Sequence, residues 1–444
     1  EAGRSFFDPS MQLKVLFFAY CDGVRSCRAI AKHIRYDIRY RYFCGSLRSD
    51  FRTINRFRHD NLDLLGGYFA GMVLLFEELK LVDFSQLALD SSKFRAMSSA
   101  CKRSRMKRLD RLSQEFATEL SEDSVADGMS EEAEPVDESG LSQSSSADSE
   151  KKVDYSELSD PDARFMKTSE GGKRLSYNGH VVVEKNQVII AADVSTNADD
   201  SVYFGTMVER TEEILGSPPE RLLADGGYYS GGNISRSLEA GIDLYLPVSN
   251  SGHKVADSAY HRDAFVYDSD SDSYRCPQGE TLHYQSRRRR RGTEVRVYSG
   301  RASSCGSCSK RHLCTSCRVR KLEISEHYSY ERKMRAKLSS KEGKEIYRRR
   351  QGQVEPVFGN IKYNLGFTRF LLRRLSNVRG EFLLFCIAHN IRKLAGGLAF
   401  YHLKLVLKPL IEACYVLSEA IWERSMTKQL ACRSTQHVTP QMAI

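Results

Sequence analysis

Two short apolar runs that each end in an aspartate constrain the fold of this chain most strongly. The run "LALD" ends at Asp90, and the run "RLLAD" ends at Asp225, where Gly226 and Gly227 follow. Such runs predict strands, and glycine accepts the backbone angles that a sharp exit from a strand requires. A strand-ending aspartate is also typical of a cap for the following turn. A catalytic role therefore requires further acids at the same edge of the sheet.

The order of elements around these runs predicts a mixed α/β sheet. Strand-like segments are "SYNGHVVVE", "QVIIAADVSTN" and "IDLYLPVS", and helical segments are "VYFGTMVERTEEIL" and "NISRSLEAG". This order can place Asp90 beside Asp225 in one sheet. We also expect the first strand to end at Asp90, with a basic helix over residues 93–120. Tyr228 and Tyr229 fit either contacts with flanking DNA or packing under the glycine turn.

The first 85 residues are rich in helical periodicity and resemble a helix-turn-helix bundle. Asp50 is placed to cap the N-terminus of a basic helix. On that helix, Arg52, Arg56 and Arg58 would suit contacts with DNA, although a solvated basic face produces the same pattern.

Charge is distributed unevenly along the chain. The 444 residues carry a net charge of +10, yet residues 121–160 hold 13 acidic and two basic residues, a local charge of −11. The rest of the chain therefore carries +21, which favours a polyanionic partner such as DNA or RNA. The acidic, Ser-rich composition of residues 119–160 predicts a disordered insertion. No apolar run approaches the ~18–20 residues of a membrane span.

Residues 250–324 interrupt the α/β pattern with a Cys- and Arg-rich insertion. The segment "CPQGETLHYQSRRRRRGTEVRVYS" predicts a hairpin with Arg288, Arg289 and Arg290 near its turn, where they could lie along phosphates. The pattern C-x2-C-x5-C-x2-C follows, formed by Cys305, Cys308, Cys314 and Cys317. In a cytosolic chain this clustering favours structural Zn²⁺ over disulfides, although the central spacing is short for a zinc ribbon. Cys276 could replace one of the four.

A third acid of interest is Glu355, which lies on a late basic helix near Arg350 and Lys362. Three carboxylates suit Mg²⁺ or Mn²⁺, which take oxygen ligands and can hold both oxygens of a phosphodiester exchange. Taken alone, Glu355 is more simply a salt-bridged surface acid. Pro356 directly after it predicts a kink, because proline lacks a backbone donor.

Other acids compete for the same role. Asp193 ends the run "VIIAAD" much as Asp225 ends its own run, and Asp199 and Asp200 follow soon after. We place Asp193 second in line, as a sheet-edge or auxiliary residue, because its strand should lie inside a hairpin.

Four blocks in this order resemble the prokaryotic DDE-type insertion-sequence transposases. They are "LALDSSKFRAMSSA", "YNGHVVVEKNQVIIAADVSTNADD", "RLLADGGYYSGGNISRSLEAGIDLYLP" and "YRRRQGQVEPVFGNIKYNLGFTRFLLR". The opening "FAYCDGVRSCRAIAKHIRYDIRYRYFCG" is similar to the N-terminal region of the same family. The resemblance extends over about residues 17–394, and the order of the blocks makes it specific.

The resemblance implies an RNase H-like mixed-sheet catalytic core with a helical N-terminal domain and a Cys/Arg-rich insertion. Asp90, Asp225 and Glu355 would be catalytic and would hold two Mg²⁺ or Mn²⁺ ions. The enzyme would cut double-stranded DNA at inverted-repeat ends and join the released 3′-hydroxyl to target DNA, as a homodimer in the synaptic complex. We expect a cytoplasmic, nucleoid-associated protein without membrane contact. The alternatives are a non-catalytic DNA-binding remnant and a nuclease without strand transfer.

In this family the glutamate belongs to a Tyr-Arg-Glu-Lys signature, whose best matches here are Tyr347, Arg350, Glu355 and Lys362. Glu355 and Lys362 lie two helical turns apart and share a face. The spacing from Arg350 to Glu355 is one residue longer than in the signature. The arginines at positions 348 and 349 therefore stay open as substitutes for Arg350.

These predictions divide the chain into five parts. They are a helical DNA-binding domain (1–85), a catalytic core (86–249 and 325–398), a disordered insertion within that core (119–160), a Cys/Arg-rich insertion (250–324) and a tail (399–444). Because the chain begins at Glu1 without Met, we also expect an N-terminal piece to be missing.

Overall fold

The computed structural model describes residues 7–45, 47–98, 155, 158–168, 171–248, 258–290 and 293–397. The predicted tail and nearly all of the predicted acidic insertion lie outside these residues, as does most of the predicted helix over residues 93–120. At the end of the predicted insertion, Asp160 is fully buried and accepts a hydrogen bond from Tyr177 Oη at 2.8 Å. The last residue of that segment is therefore part of the folded core.

Five helices form the N-terminal part of the chain. They are α1 (Pro9–Cys21), α2 (Cys27–Tyr36), α3 (Ile38–Cys44), α4 (Phe51–Asp60) and α5 (Leu65–Glu78). Helix α2 packs on α3 and α4, and α1 packs on the same two helices. The predicted cap is confirmed, because the Asp50 carboxylate accepts a hydrogen bond from Thr53 N at 2.7 Å.

A six-stranded mixed sheet follows. Its strands are β1 (Leu87–Arg95), β2 (Arg164–Lys167), β3 (Lys173–Glu184), β4 (Ile189–Ser195), β5 (Arg221–Ala224) and β6 (Asp243–Tyr245). The strand order is β2-β3-β1-β5-β6, and β4 also pairs with β3. Strands β1, β5 and β6 are parallel, whereas β3 runs antiparallel to β1, β2 and β4. Two helices precede and follow β5, namely α6 (Phe204–Leu215) and α7 (Gly231–Glu239). The predicted mixed α/β class is confirmed.

Strand β1 does not end at Asp90, as the sequence predicted, but continues to Arg95. Its parallel pairing with β5 covers only residues 87–89, whereas its antiparallel pairing with β3 extends from Leu87 to Arg95. Polar residues follow Asp90 and interrupt the apolar run, so the sequence does not indicate the longer strand. Asp90 therefore lies where one ladder ends and the other continues.

A smaller antiparallel sheet follows the mixed sheet in the chain. Its strands are β7 (Val266–Asp268), β8 (Ser273–Arg275), β9 (Thr281–Arg290), β10 (Thr293–Ser299) and β11 (Lys321–Ser325), paired in that order. Two short helices connect β10 to β11, namely α8 (Ala302–Ser307) and α9 (Arg311–Cys314). The predicted hairpin is confirmed, because β9 pairs with β10 and Arg290 lies opposite Thr293.

Three late helices complete the described chain, namely α10 (Tyr328–Ser339), α11 (Lys341–Gly359) and α12 (Leu375–Gly397). Helix α11 continues through Pro356. Proline cannot donate to the carbonyl of Gly352, and Gln187 Nε2 donates to that carbonyl at 3.0 Å. No helix in the described part of the chain combines the length and the apolar content needed to cross a membrane.

Candidate active site

Asp90 and Asp225 lie side by side in the mixed sheet, at the point where β5 ends. The pairing of β1 with β5 aligns Leu89 with Ala224. Asp90 follows Leu89 and Asp225 follows Ala224, so the two aspartates are neighbours. Asp225 Oδ2 also accepts a hydrogen bond from Gly227 N at 3.3 Å. The carboxylate therefore caps its turn while it faces the second acid.

Arg350 of α11 joins the two carboxylates. Its Nη1 lies 3.1 Å from Asp90 Oδ2, and its Nη2 lies 3.1 Å from Asp225 Oδ1. The Nη2 contact is a hydrogen bond, whereas the Nη1 contact is an ion pair without hydrogen-bond geometry. By contrast, Arg349 lies 3.8 Å from Glu345 on its own helix. Of Arg349 and Arg350, it is therefore Arg350 that contacts the acid pair.

Burial disfavours the ionised form of Asp90, so a neighbouring positive charge is stabilising. Burial raises the pKa of the Asp90 carboxyl; Arg350 and the backbone N–H of Ser91 lower that pKa, and Asp225 raises it further. Two neighbouring carboxylates in a partly buried site disfavour each other's ionised form. A cation beside them is therefore stabilising, and the Arg350 guanidinium supplies one.

Two other residues of the signature, Lys362 and Tyr347, contact β1 and Arg350, respectively. Lys362 Nζ donates to Ser92 Oγ at 2.7 Å and to the carbonyl of Lys93 at 2.8 Å. Tyr347 lies one turn before Arg350, with its ring centroid 6.0 Å from the guanidinium carbon. The Lys362 contacts therefore fix the π-helical turn after α11 (Asn360–Asn364) against the strand that carries Asp90.

Glu355 does not join the two aspartates. Its side chain is exposed on α11 and accepts a hydrogen bond from Gln351 Nε2 at 2.8 Å. Five residues along a helix correspond to a rotation of about 140°, so Glu355 and Arg350 leave different faces of α11. Across the residues that the structure describes, no three His, Cys, Asp or Glu side chains are grouped closely enough to hold a metal ion. Two of the three predicted acids are thus neighbours.

Asp200 is a further acid beside the pair. A Cβ atom on Gly227 would lie 3.0 Å from Asp200 Oδ2 and 3.5 Å from Asp225 Oδ2, so the glycine permits this close approach. Although burial opposes its ionisation, Lys93 and three hydrogen-bond donors lower the pKa of Asp200. The donors to Asp200 Oδ1 are Ser91 Oγ at 2.9 Å, Lys93 Nζ at 3.1 Å and Asn178 Nδ2 at 2.5 Å.

Asp193 has a different environment from the acid pair. It is buried, with Arg210 Nε 2.6 Å from Oδ2 and Arg379 Nε 2.9 Å from Oδ1. Tyr203 Oη also donates to Oδ2 at 2.7 Å. Asp193 therefore ties α6 and α12 to strand β4, in keeping with an auxiliary position.

A buried histidine behind the site had no recognisable sequence signal. His180 lies in the apolar strand β3, with Nδ1 2.7 Å from Tyr228 Oη and Nε2 3.1 Å from Ser195 Oγ. Burial lowers the pKa of His180 to about 4, so the ring is neutral at physiological pH. Tyr228 is fully buried, which favours its packing role over contact with DNA.

The predicted basic helix α4 borders an open groove. The groove has a volume of about 540 Å³ and is lined in part by Arg28, Arg52 and Arg56. Arg28 and Arg52 lie over the ring of Phe51, with their guanidinium carbons 5.1 Å and 5.6 Å from its centroid. Of the three predicted arginines of α4, Arg52 and Arg56 are exposed, so phosphate contacts are sterically open to them.

Arg58 is not available for DNA, contrary to the sequence prediction. It is only 6% exposed and donates to Tyr20 Oη and to the carbonyl of Arg25, each at 3.2 Å. The helical spacing places Arg58 on the face of α4 that packs against α1. Its role is to hold these helices together.

The insertion presents its arginines and cysteines in different ways. Arg288 and Arg289 are exposed on β9, and the Arg290 backbone pairs with β10 next to the turn. Three of the four predicted zinc ligands line one pocket together with Cys276, namely Cys305, Cys308 and Cys314. Cys317 is exposed and does not line that pocket.

Two parts of the chain match family models. Residues 275–395 match a transposase DDE domain, and residues 1–60 match a transposase domain described as DUF772. The first match includes Arg350 and Glu355 but neither Asp90 nor Asp225. No curated protein and no solved structure gives a significant match. Both matches confirm the resemblance stated from the sequence.

Proposed function

Starting from its matches to domains of DDE-type transposases, we propose that this chain cuts double-stranded DNA at the inverted-repeat ends of a mobile element. The released 3′-hydroxyl would then be joined to a target strand, and two copies of the chain would act together on two ends. A transposase function in the general sense rests on both domain matches.

The observation that carries this proposal is the acid pair joined by Arg350. The Asp90 side chain is 20% exposed and that of Asp225 is 48% exposed. The pair is therefore held from the protein side by Arg350 and opens to solvent at Asp225. A DNA phosphate would approach from that open side.

The donor set at the pair suits a hard divalent cation. Carboxylate oxygens are preferred ligands of Mg²⁺ and Mn²⁺, and Asp90 and Asp225 offer them side by side. When bound, such a cation supplies Lewis-acid stabilisation of the phosphodiester oxygens. Arg350 keeps the two carboxylates in place and balances their charge. Glu355, as the third carboxylate, would have to turn toward the pair, because it leaves a different face of α11 from Arg350.

The strand order supports an RNase H-like core. Strand β1 has an antiparallel neighbour, β3, on one side and a parallel neighbour, β5, on the other. Ligand sites of open α/β sheets lie outside the carboxyl ends of parallel strands, where the connections diverge. Asp225 directly follows β5, and Asp90 lies beside it where the parallel pairing of β1 with β5 ends.

Two basic surfaces are proposed to bind the DNA. One is the groove beside α4 with Arg52 and Arg56, and the other is the β9–β10 hairpin with Arg288 and Arg289. Exposed arginines neutralise phosphates and release counterions, which gives affinity without sequence preference.

A cleavage assay tests the proposal. Purified chain is incubated with Mg²⁺ and labelled repeat-end duplex, and wild type is compared with Asp225→Asn. The amide keeps the shape of the side chain but removes the charge that holds the cation. We expect cleavage to fall on the order of 100-fold or more, because metal stabilisation of the transition state amounts to several kcal/mol.

Asp270→Asn is the matched control. Asp270 is exposed in the turn between β7 and β8, so this variant should cleave like wild type. Equal cleavage by wild type and Asp225→Asn would exclude the metal role of Asp225. DNA binding without cleavage by wild type would indicate a non-catalytic remnant, and cleavage without a joined product would indicate a nuclease.

A further inference from the structure

Four cysteines border one pocket beside the smaller sheet. The pocket has a volume of about 40 Å³, and its lining comes from the turn after β8 and from the region of α8 and α9. The cysteines are Cys276, Cys305, Cys308 and Cys314. Cys276 and Cys305 are 29 positions apart in sequence but line the same pocket.

Tight turns carry two of the four cysteines, Cys276 and Cys308, whereas Cys305 lies in α8 and Cys314 ends α9. The Cys276 N–H donates to the Glu280 carbonyl at 2.8 Å, and the Cys276 carbonyl accepts from Gly279 N at 2.8 Å. Gly279 has a φ of +89°, which favours glycine at this turn. On the other side, the Cys308 carbonyl accepts from Arg311 N at 3.1 Å. Cysteines on short turns are the usual ligands of structural zinc.

The smaller sheet has little apolar core of its own. Its buried cluster consists of Phe265, Tyr274, Leu282, Tyr298, Leu322 and Ile324, with Cys276 and Cys314 packed at the edge. Units with so small a core usually require a disulfide or a metal to hold their fold. A bound metal would provide that link at the edge of the cluster.

Arg320 provides positive charge beside the thiols. It is only 6% exposed, and its Nη1 donates to the Cys314 carbonyl at 3.1 Å. Zinc binds thiolates, and a zinc ion with four thiolates is a net anion. A buried guanidinium next to the pocket would therefore offset part of that negative charge.

We propose that Cys276, Cys305, Cys308 and Cys314 bind one structural Zn²⁺. This ligand set takes Cys276 in place of Cys317 from the sequence pattern. The metal would link the turn after β8 to α8 and α9, across the hairpin that carries the exposed arginines. The inference is independent of the catalytic proposal, because it concerns only the fold of the smaller sheet.

Zinc binding would draw the four thiols inward. They border the pocket, but within the described residues no three of them are yet grouped at metal-binding distances. With Zn–S bonds of about 2.3 Å, tetrahedral ligands place their sulfur atoms about 3.8 Å apart. Helices α8 and α9 have only six and four residues, so few helical hydrogen bonds would oppose such a movement.

Metal analysis of the full chain tests this inference. After purification under reducing conditions we expect one zinc per chain. Replacement of that zinc by Co²⁺ should give a thiolate charge-transfer band and the intense visible spectrum of tetrahedral cobalt. Neither readout depends on DNA cleavage.

Three variants identify the ligands. Cys276→Ser should lose the metal, whereas Cys317→Ser, the matched control in the same cluster, should keep it. Cys276→His should keep a metal because imidazole is also a zinc ligand, with a weaker cobalt–thiolate band since one sulfur is lost. Retention in this variant distinguishes loss of a ligand from loss of the fold.

Three outcomes would overturn the inference. The first is a wild-type chain that holds neither zinc nor tetrahedral cobalt. The second is metal loss in Cys317→Ser with full retention in Cys276→Ser, which would return the fourth ligand to Cys317. The third is a disulfide between any of the four cysteines in the reduced preparation, revealed by the mass of the alkylated chain.

Discussion

Arg350 favours the ionised form of Asp90, so the pH dependence of cleavage can be tested by substituting this one residue. Burial raises the pKa of Asp90, and Arg350 opposes that rise. In Arg350→Ala the opposing charge is absent, so the pKa of Asp90 rises further and the ionised form requires a higher pH. We expect the acid limb of the cleavage rate, measured as a function of pH, to move to higher pH.

Two neighbouring substitutions give this experiment its controls. Arg350→Lys keeps a positive charge near the pair and should shift the acid limb less than Arg350→Ala. Arg349→Ala should leave the profile unchanged, because Arg349 contacts Glu345 and neither aspartate. A wild-type profile in Arg350→Ala would contradict the charge-balancing role.

At this scale the sequence predicted the meeting of Asp90 and Asp225 but not the residue that joins them. Two apolar runs that each end in an aspartate place their aspartates side by side when their strands are parallel neighbours. The direction of a helical side chain is set by tertiary packing, so the spacing of Arg350 from Glu355 could not tell which of them faces the strands. His180 had no signal either, because it interrupts an apolar strand and is satisfied by Tyr228 and Ser195.

At the scale of elements, strand and helix types were predicted better than their ends. Strand β1 extends past Asp90 because β3 supports it on one side, and pairing with a distant segment leaves no local signal. Helix α11 continues through Pro356 because the Gly352 carbonyl finds a donor in Gln187, about 165 residues earlier in the chain. Both boundaries depend on contacts between residues far apart in sequence.

The packing of α12 against the sheet gives a second prediction. A Cβ atom on Gly179 of β3 would lie 2.8 Å from Phe382 Cζ of α12 and 3.0 Å from Phe94 Cε2 of β1. The rings of Phe382 and Phe94 are packed in the core and cannot move apart without disturbing their neighbours. Gly179→Ala should therefore lower the free energy of unfolding by about 1–3 kcal/mol. Chemical denaturation of the purified chain measures this change.

A second glycine-to-alanine substitution has the opposite expected sign. Gly71 lies inside α5, where a Cβ atom would meet nothing within 4 Å. Alanine favours a helix over glycine by roughly 0.8–1 kcal/mol, so Gly71→Ala should raise the unfolding free energy slightly. If both variants changed stability in the same direction, the close packing of α12 on Gly179 would not be the cause.

At the scale of the whole molecule, the order of elements was enough to predict a mixed sheet and a separate Cys/Arg-rich unit. The composition of that unit did not show which cysteines meet. Cys276 reaches the pocket only because β9 and β10 form a hairpin between it and Cys305. Sequence spacing favoured Cys317, which is nearer along the chain but exposed. Residues that converge through sheet pairing cannot be identified from spacing alone.

The uneven charge of the chain leads to a last prediction, for DNA affinity. Outside the acidic segment the chain carries +21, and Arg52 and Arg56 are exposed on the groove beside α4. Each phosphate contact contributes about 0.9 to the slope of log affinity against log salt. In Arg52→Ala/Arg56→Ala we expect that slope, measured by fluorescence anisotropy with a labelled duplex, to decrease by about 2.

Arg52→Lys/Arg56→Lys keeps both charges and should keep the slope, because counterion release depends on charge. If the alanine variant kept the wild-type slope, α4 would be a solvated basic face, and the phosphates would have to be held elsewhere, with the β9–β10 hairpin as the next surface to test.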